Sequence, residues 1–180
     1  VNWRCKIVTL KINELPPPEG PGVGIILVST AIAALDYVIS NKIKVSNNSY
    51  RWYVYTQGHY DKIRAARDLI GHIYVAGAGN ETINNDLWNP AYPASYNLSN
   101  IIAVAATDND DQLASFSNYG VVRVDLGAPG VAIYSTSQRQ SGYLFRNGTS
   151  FAAPHVTGVV ALLWSKYPTW NWTVVKNRVL

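Results

Sequence analysis

Methionine is absent from these 180 residues, and cysteine occurs once, at Cys5. A single thiol cannot close a disulfide within the chain or supply a cysteine-rich zinc site, so neither device can stabilise the fold. Cys5 lies in a strand-like run, RCKIVTLKI, and is expected to be a buried, inert thiol. Charge is also sparse. Charged residues make up 14%, with 15 Lys and Arg against 11 Asp and Glu, a net charge of +4. The cations are scattered singly, and no run of them forms the basic stripe of a nucleic-acid footprint, so no nucleic-acid partner is expected. No apolar stretch reaches the ~18 residues of a membrane span, so no membrane partner is expected either. Neither an initiator Met nor a charged-then-apolar leader precedes Val1, and the sequence reads as a piece of something longer.

Hydrophobic residues account for 48% of the chain, with 12 Tyr and 6 Trp. That balance fits one domain with a substantial core rather than a disordered segment. Short apolar runs alternate with helix-period segments. Cys5–Leu10, Ile43–Val45, Ile73–Ala76, Ile101–Ala105 and Val121–Leu126 read as strands. Thr30–Ser40, capped by Ser29 or Thr30, reads as a helix, as does His59–Ile70 closed by Gly71. Ser150–Lys166 is a long apolar helix, Trp172–Leu180 a final one, and Glu14–Gly24 a Pro/Gly loop. Strands that are continuously apolar, alternating with helices, predict an α/β fold. Its three layers would be a mostly parallel sheet with helices on both faces. Function then collects at the carboxyl ends of the strands.

Two polar, glycine-bearing loops fall there. In Val75-Ala-Gly-Ala-Gly-Asn80 a buried strand runs into an amide side chain. Asn80 could shape a turn, or its amide could donate to a developing oxyanion. In Asn147-Gly-Thr-Ser150 a serine stands at the start of the long apolar helix. Ser150 could cap that helix, or act as a nucleophile in the positive potential of its free N–H groups. Pro154 falls early in the helix, where a missing N–H costs little.

Together the two loops favour the chemical readings. GTSFAAPHVTGVVALL closely resembles the nucleophile segment of the subtilisin-like serine proteases, and IYVAGAGN resembles that family's oxyanion strand. YPASYNLSNIIAVAATDNDDQLASFSNYG and VDLGAPGVAIYST resemble the segments between them, in order. The resemblance runs from about Asn2 to Leu180 and implies a serine endopeptidase acting on peptide or protein substrates outside the cell. It implies Ser150 as nucleophile and Asn80 as oxyanion donor. Ser49 and Tyr50, in KVSNNSYRW, would form one substrate edge. Arg51 stands where the family usually has glycine, and a cation there could narrow or recharge the groove. Ala76, Gly77 and Ala78 would line the primary specificity pocket, slightly enlarged because Gly77 replaces a frequent alanine. Tyr92-Pro93 resembles a position often cis.

The resemblance also defines an expected gap. A serine hydroxyl needs a base, and the family's His and Asp segments belong upstream of Val1. Residues 1–180 therefore read as a partial peptidase domain, incomplete at the N-terminal side of its sheet and short at its C-terminal end. Taken alone they are expected to be inactive. His155, five residues after Ser150 on one helix, would sit ~7.5 Å along the axis and ~140° around it. His59 and His72 fall away from the strand ends that carry chemistry. No cofactor is required. Calcium is possible by family resemblance only, and Asp108–Asp111 (DNDD) reads as a solvated turn. Five Asn-x-Ser/Thr sequons begin at Asn47, Asn80, Asn97, Asn147 and Asn171, and those at Asn80 and Asn147 overlap the proposed site. The competing reading is a catalytically dead relative that keeps only a peptide-binding groove.

Overall fold

The computed structural model describes residues 5–13, 26–137 and 142–180. Its order is α1 (Val28–Ser40), β1 (Val45–Asn48), α2 (Gln57–Ile70), β2 (Ile73–Gly77), β3 (Ile101–Thr107), β4 (Leu126–Pro129), β5 (Ile133–Ser137), β6 (Gly142–Arg146), α3 (Thr149–Lys166) and α4 (Trp172–Val179). Strands β1-β2-β3-β4 form one parallel sheet in that order. Because side chains alternate along a strand, the two central strands feed two cores. Ile73, Val75, Ile102 and Val104 pack with Ala152, Val156, Val160 and Val175 of α3 and α4. Tyr74, Ala76, Ile101 and Ala103 pack with Leu35 of α1 and Ile63 of α2 on the other face. Two-sided burial accounts for strands that are apolar throughout, and each fully buried Val or Ile contributes about 1.5–3 kcal/mol. The three-layer α/β expectation holds.

Helix α2 ends where the sequence indicates. Gly71 takes φ 65°, and its N–H reaches Arg67 O at 2.8 Å. A left-handed residue at this point closes the helix, and glycine adopts it without a Cβ penalty. Helix α1 differs at its start. Leu27 is the cap residue, and neither Ser29 nor Thr30 caps. The Thr30 hydroxyl lies 2.7 Å from Leu27 O and 2.6 Å from Ile12 O, so it back-bonds instead.

Four other expectations are corrected. Cys5–Leu10 is not a strand, and Cys5 is exposed, as is Ile7 at 88%. That run stands across a cavity of about 560 Å³ from β1, and among the described residues no strand pairs with it. The first strand is Val45–Asn48 rather than Ile43–Val45. Val121–Leu126 is a strand only from Leu126 onward. The N–H groups of Val121, Val122 and Arg123 donate to the Asp86 carboxylate at 2.6–3.0 Å, which bends them away from the sheet. An antiparallel pair, β5 with β6, was not anticipated. The Glu14–Gly24 loop lies outside the described residues.

Candidate active site

Three loops meet at the carboxyl ends of the strands: the one after β1, the one after β2, and the approach to α3. Gly130, just beyond β4, seats the last of them. Its N–H donates to Thr107 O at 2.9 Å and its carbonyl accepts Gly148 N–H at 2.8 Å. A Cβ at Gly130 would lie 2.6 Å from Ala106 Cβ and 2.9 Å from Gly148 O, so only glycine permits this approach. Gly148 then takes φ 147°, and α3 begins at Thr149.

Asn80 and Thr149 lock together here. Asn80 Oδ1 accepts the Thr149 N–H at 2.8 Å and the Thr149 hydroxyl at 3.1 Å. The N–H donor fixes which end of the amide is oxygen, and Asn80 itself is exposed. Thr149 Oγ1 also accepts Gly79 N–H at 3.2 Å. Ser150 is half-buried beside this lock, in the first turn of α3, and its carbonyl accepts the Ser49 hydroxyl at 2.9 Å. A cavity of about 30 Å³ opens between Ser49, Gly77, Gly79, Asn80, Thr149 and Ser150. Tyr50 and Arg51 complete its wall.

Ser150, Asn80, Ser49, Tyr50 and Gly77 are therefore brought together. Ala76 and Ala78 are fully buried and do not line this cavity. Within β2, alternation places Ala76 with Tyr74 in the core under α1 and α2, on the opposite face from Gly77. The methyl group that Gly77 lacks does not enlarge the space. A Cβ there would meet Thr149 Oγ1 at 2.9 Å and Thr149 backbone atoms at 3.2 Å, so Thr149 already occupies it. The Tyr50 hydroxyl points inward, 2.6 Å from the Tyr74 hydroxyl and 3.2 Å from Asn48 Oδ1, and burial pushes its pKa up to about 12. Thr149 is the site residue the loop-by-loop reading missed, although it lies within the Gly-Thr-Ser that identifies the segment.

Arg51 does not stand free in the groove. It forms an ion pair with Glu81, donates to the Tyr53 hydroxyl at 3.1 Å and lies 5.5 Å over the Tyr53 ring. Glu81 Oε2 in turn accepts Asn80 N–H at 2.9 Å and Asn118 Nδ2 at 3.2 Å. Partial burial pushes the Glu81 carboxyl up, but hydrogen bonds from Tyr53 and Arg51, the Arg51 charge and the Asn80 N–H outweigh it and hold it low.

The three histidines are placed elsewhere. His59 is wholly buried among Tyr50, Trp52, Tyr74 and Tyr96 with no hydrogen-bond partner, and desolvation lowers its pKa to about 4. His72 is also buried. Its Nδ1 donates to Ile43 O and its Nε2 accepts from Ser46, both at 2.8 Å, which fixes a neutral tautomer. Its pKa too falls to about 4, chiefly by desolvation. His155 donates from Nδ1 to Phe151 O at 2.8 Å, one turn back along α3. Asp108 Oδ1 accepts the N–H groups of Asp110 and Gln112, as a carboxylate capping a turn does. Among the described residues no cluster of three or more His, Cys, Asp or Glu is arranged to hold a metal. Tyr92-Pro93 is cis, and no described helix is long and apolar enough to cross a membrane.

At the carboxyl ends of a parallel α/β sheet, a serine in the first turn of α3 and an amide held by Thr149 thus line one cavity. Comparison with known proteins makes this specific. The chain belongs to the subtilase family, whose model matches residues 3–180. It is 43% identical over 109 residues to subtilisin DY of Bacillus licheniformis, covering 61% of this chain and 38% of that protein. It is 37% identical over 157 residues to subtilisin E of Bacillus subtilis strain 168, covering 84% and 38%. Among solved structures it superposes on a cold-adapted subtilisin-like serine proteinase with a TM-score of 0.74 and 29% identity, covering 85% of this chain and 54% of that one. The chain thus spans well under half the length of these two subtilisins.

Proposed function

We propose that this chain is part of a serine endopeptidase that cleaves peptide bonds through an acyl-enzyme on Ser150. The Ser150 Oγ attacks the scissile carbonyl carbon while its proton passes to a base. The resulting oxyanion is met by the Asn80 NH2 and the Ser150 backbone N–H. The C–N bond then breaks, the amine leaves with the proton, and water hydrolyses the Ser150 ester to return the free hydroxyl. The observation that carries this reading is the anchoring of Asn80. Two donors from Thr149 hold its carbonyl end, which leaves its NH2 as the end free to donate at the cavity that Asn80 and Ser150 both line.

The base is proposed to come from outside these 180 residues. His59 and His72 are buried and His155 is tied to Phe151, so residues 1–180 taken alone are expected to be inactive. That same histidine geometry is the observation favouring the second reading, a peptide-binding relative without chemistry. Family resemblance extends the proposal to peptide or protein substrates outside the cell, with no cofactor in the chemical step and calcium as a possible structural ion. The test is peptidase activity of the protein at its native length beside Ser150→Ala and Asn80→Ala. Ser150→Ala should abolish turnover. Removing one oxyanion donor costs about 10²–10³-fold in kcat, a figure that itself comes from a subtilisin, so Asn80→Ala should lose that much with KM nearly unchanged. Turnover that survives Ser150→Ala would remove the proposal. Peptide binding without turnover would favour the second reading.

A further inference from the structure

We propose that Asn118 is a positioning residue for catalysis, whose buried amide holds the loop after β2 in a strained form that keeps Asn80 at the cavity it shares with Ser150. The proposal rests on the reading of Ser150 as the acylated serine and of Asn80 as the oxyanion donor.

Asn118 lies between β3 and β4 and is wholly buried. An asparagine amide offers two N–H donors and one oxygen with two lone pairs, and all of them are engaged here. Oδ1 accepts the N–H groups of Glu81 at 2.9 Å and Ile83 at 3.0 Å. Those donors identify the oxygen end of the amide. Nδ2 lies 3.1 Å from Ala78 O, 3.2 Å from Glu81 Oε2 and 3.3 Å from Asn85 Oδ1. The backbone N–H of Asn118 donates to Gly79 O at 2.9 Å. One residue therefore bonds Ala78, Gly79, Glu81 and Ile83, on both sides of Asn80. Glu81 Oε2 extends the hold to the Asn80 N–H at 2.9 Å.

The loop does not take this shape by local preference. Thr82 stands at φ 59°, and a β-branched residue keeps a left-handed conformation only where its surroundings over-determine it. Asn118 Oδ1 binds the N–H groups on either side of Thr82. Thr82 itself donates from its hydroxyl to Ser115 O at 2.7 Å and from its N–H to Phe116 O at 3.0 Å. The segment that ends in Asn118 thus grips the strained residue throughout. Gly79, at φ 114°, leaves room for the amide, since a Cβ there would collide with Asn118 Nδ2. Two separate locks result. Thr149 holds the Asn80 side chain from α3, and Asn118 holds the backbone that carries it.

The experiment measures kcat and KM on one peptide substrate for the protein at its native length, Asn118→Ala, Asn80→Ala and the double variant, each per folded molecule. Asn118→Ala should lower kcat about 10–10²-fold with KM little changed, since a displaced donor costs less than a missing one. In the Asn80→Ala background the same change should cost no more than about twofold, because no donor is left to misplace. Asn100→Ala is the control. Asn100 is equally buried and bonds His72 O at 3.0 Å, just before β3 at the other end of the sheet, so its loss should cost stability and leave kcat unchanged. Where Asn118→Ala folds poorly, the same cycle is run in Thr82→Gly, which removes the left-handed threonine. Hydrogen exchange reads the clamp without chemistry, and the Glu81 and Ile83 amides should exchange about tenfold or more faster in Asn118→Ala. An unchanged kcat in Asn118→Ala, equal losses with and without Asn80, or unchanged exchange overturns the proposal. Faster exchange with no turnover by any form removes the peptidase reading and leaves Asn118 as the clamp of this loop.

Discussion

Gly130→Ala tests how the loop that carries Ser150 is seated. The added methyl would lie 2.6 Å from Ala106 Cβ, 2.9 Å from Gly148 O and 3.2 Å from Ala106 Cα. None of these is the far end of a flexible side chain. Ala106 is fixed in β3, and Gly148 O belongs to the turn that delivers Ser150. Relief must come from backbone movement, either of Gly130 away from β3 or of the loop away from Gly130. Overpacking of this kind costs about 1–3 kcal/mol, which for a domain of this size lowers Tm by about 2–12 °C. The control is Gly58→Ala near the start of α2. There a Cβ meets only Ile32 Cδ1 at 3.4 Å, and a helical Gly→Ala change stabilises by up to about 1 kcal/mol. Thermal and urea denaturation of both variants, at native length, gives the comparison. Activity should fall in Gly130→Ala beyond any loss of folded protein, because the displaced loop carries Thr149 and Ser150. Equal stability of the two variants, or full activity in Gly130→Ala, would refute the claim that Gly130 positions the site.

Three further outcomes follow from other contacts. His59 and His72 are neutral in the fold with pKa values near 4, below the unfolded value of about 6.5. The unfolded chain therefore takes up protons first as pH falls. Stability should be full above about pH 6.5, decline between 6.5 and 4 by up to about 3 kcal/mol for each group, and show no further loss from them below that; urea titrations across this range measure it. His59→Phe should flatten part of that slope. Asp125 accepts Ala103 N–H at 2.8 Å and pairs with Lys176 of α4 at 3.3 Å, so Asp125→Ala should cost about 1–3 kcal/mol in denaturation by orphaning a backbone donor. Thr149→Val keeps the shape but removes the hydroxyl that bonds Asn80 and Gly79, and kcat should drop with KM little changed.

The central architecture is legible in the sequence because two-sided burial leaves a direct trace. Ile73–Val75 and Ile101–Ala105 are apolar at every position, as strands covered on both faces of a parallel sheet must be. Gly71 marks the end of α2 equally plainly. The misread segments are those whose fate depends on a distant partner. Val121 and Val122 look like strand residues, yet Asp86, some 35 positions earlier in sequence, captures their N–H groups. Cys5–Leu10 has strand composition but, among the described residues, no strand partner, and it lies across a cavity from β1. The β5–β6 pair carries Tyr134, Tyr143 and Phe145 outward, a weak alternation that is hard to distinguish from a loop. At the site, Ser150 and Asn80 stand out from their motifs. That Thr149 fills the space Gly77 leaves, and that Glu81 holds Arg51, are facts of three-dimensional proximity that spacing does not encode.

The role of Ser150 is tested most directly by covalent labelling of the protein at its native length with a fluorophosphonate serine probe, followed by peptide mapping. An acylated Ser150 predicts one adduct, on that residue, with peptidase activity lost in proportion and labelling slowed in Asn80→Ala. Peptidase activity that persists with Ser150 unmodified, or a stoichiometric adduct on another serine, would contradict it.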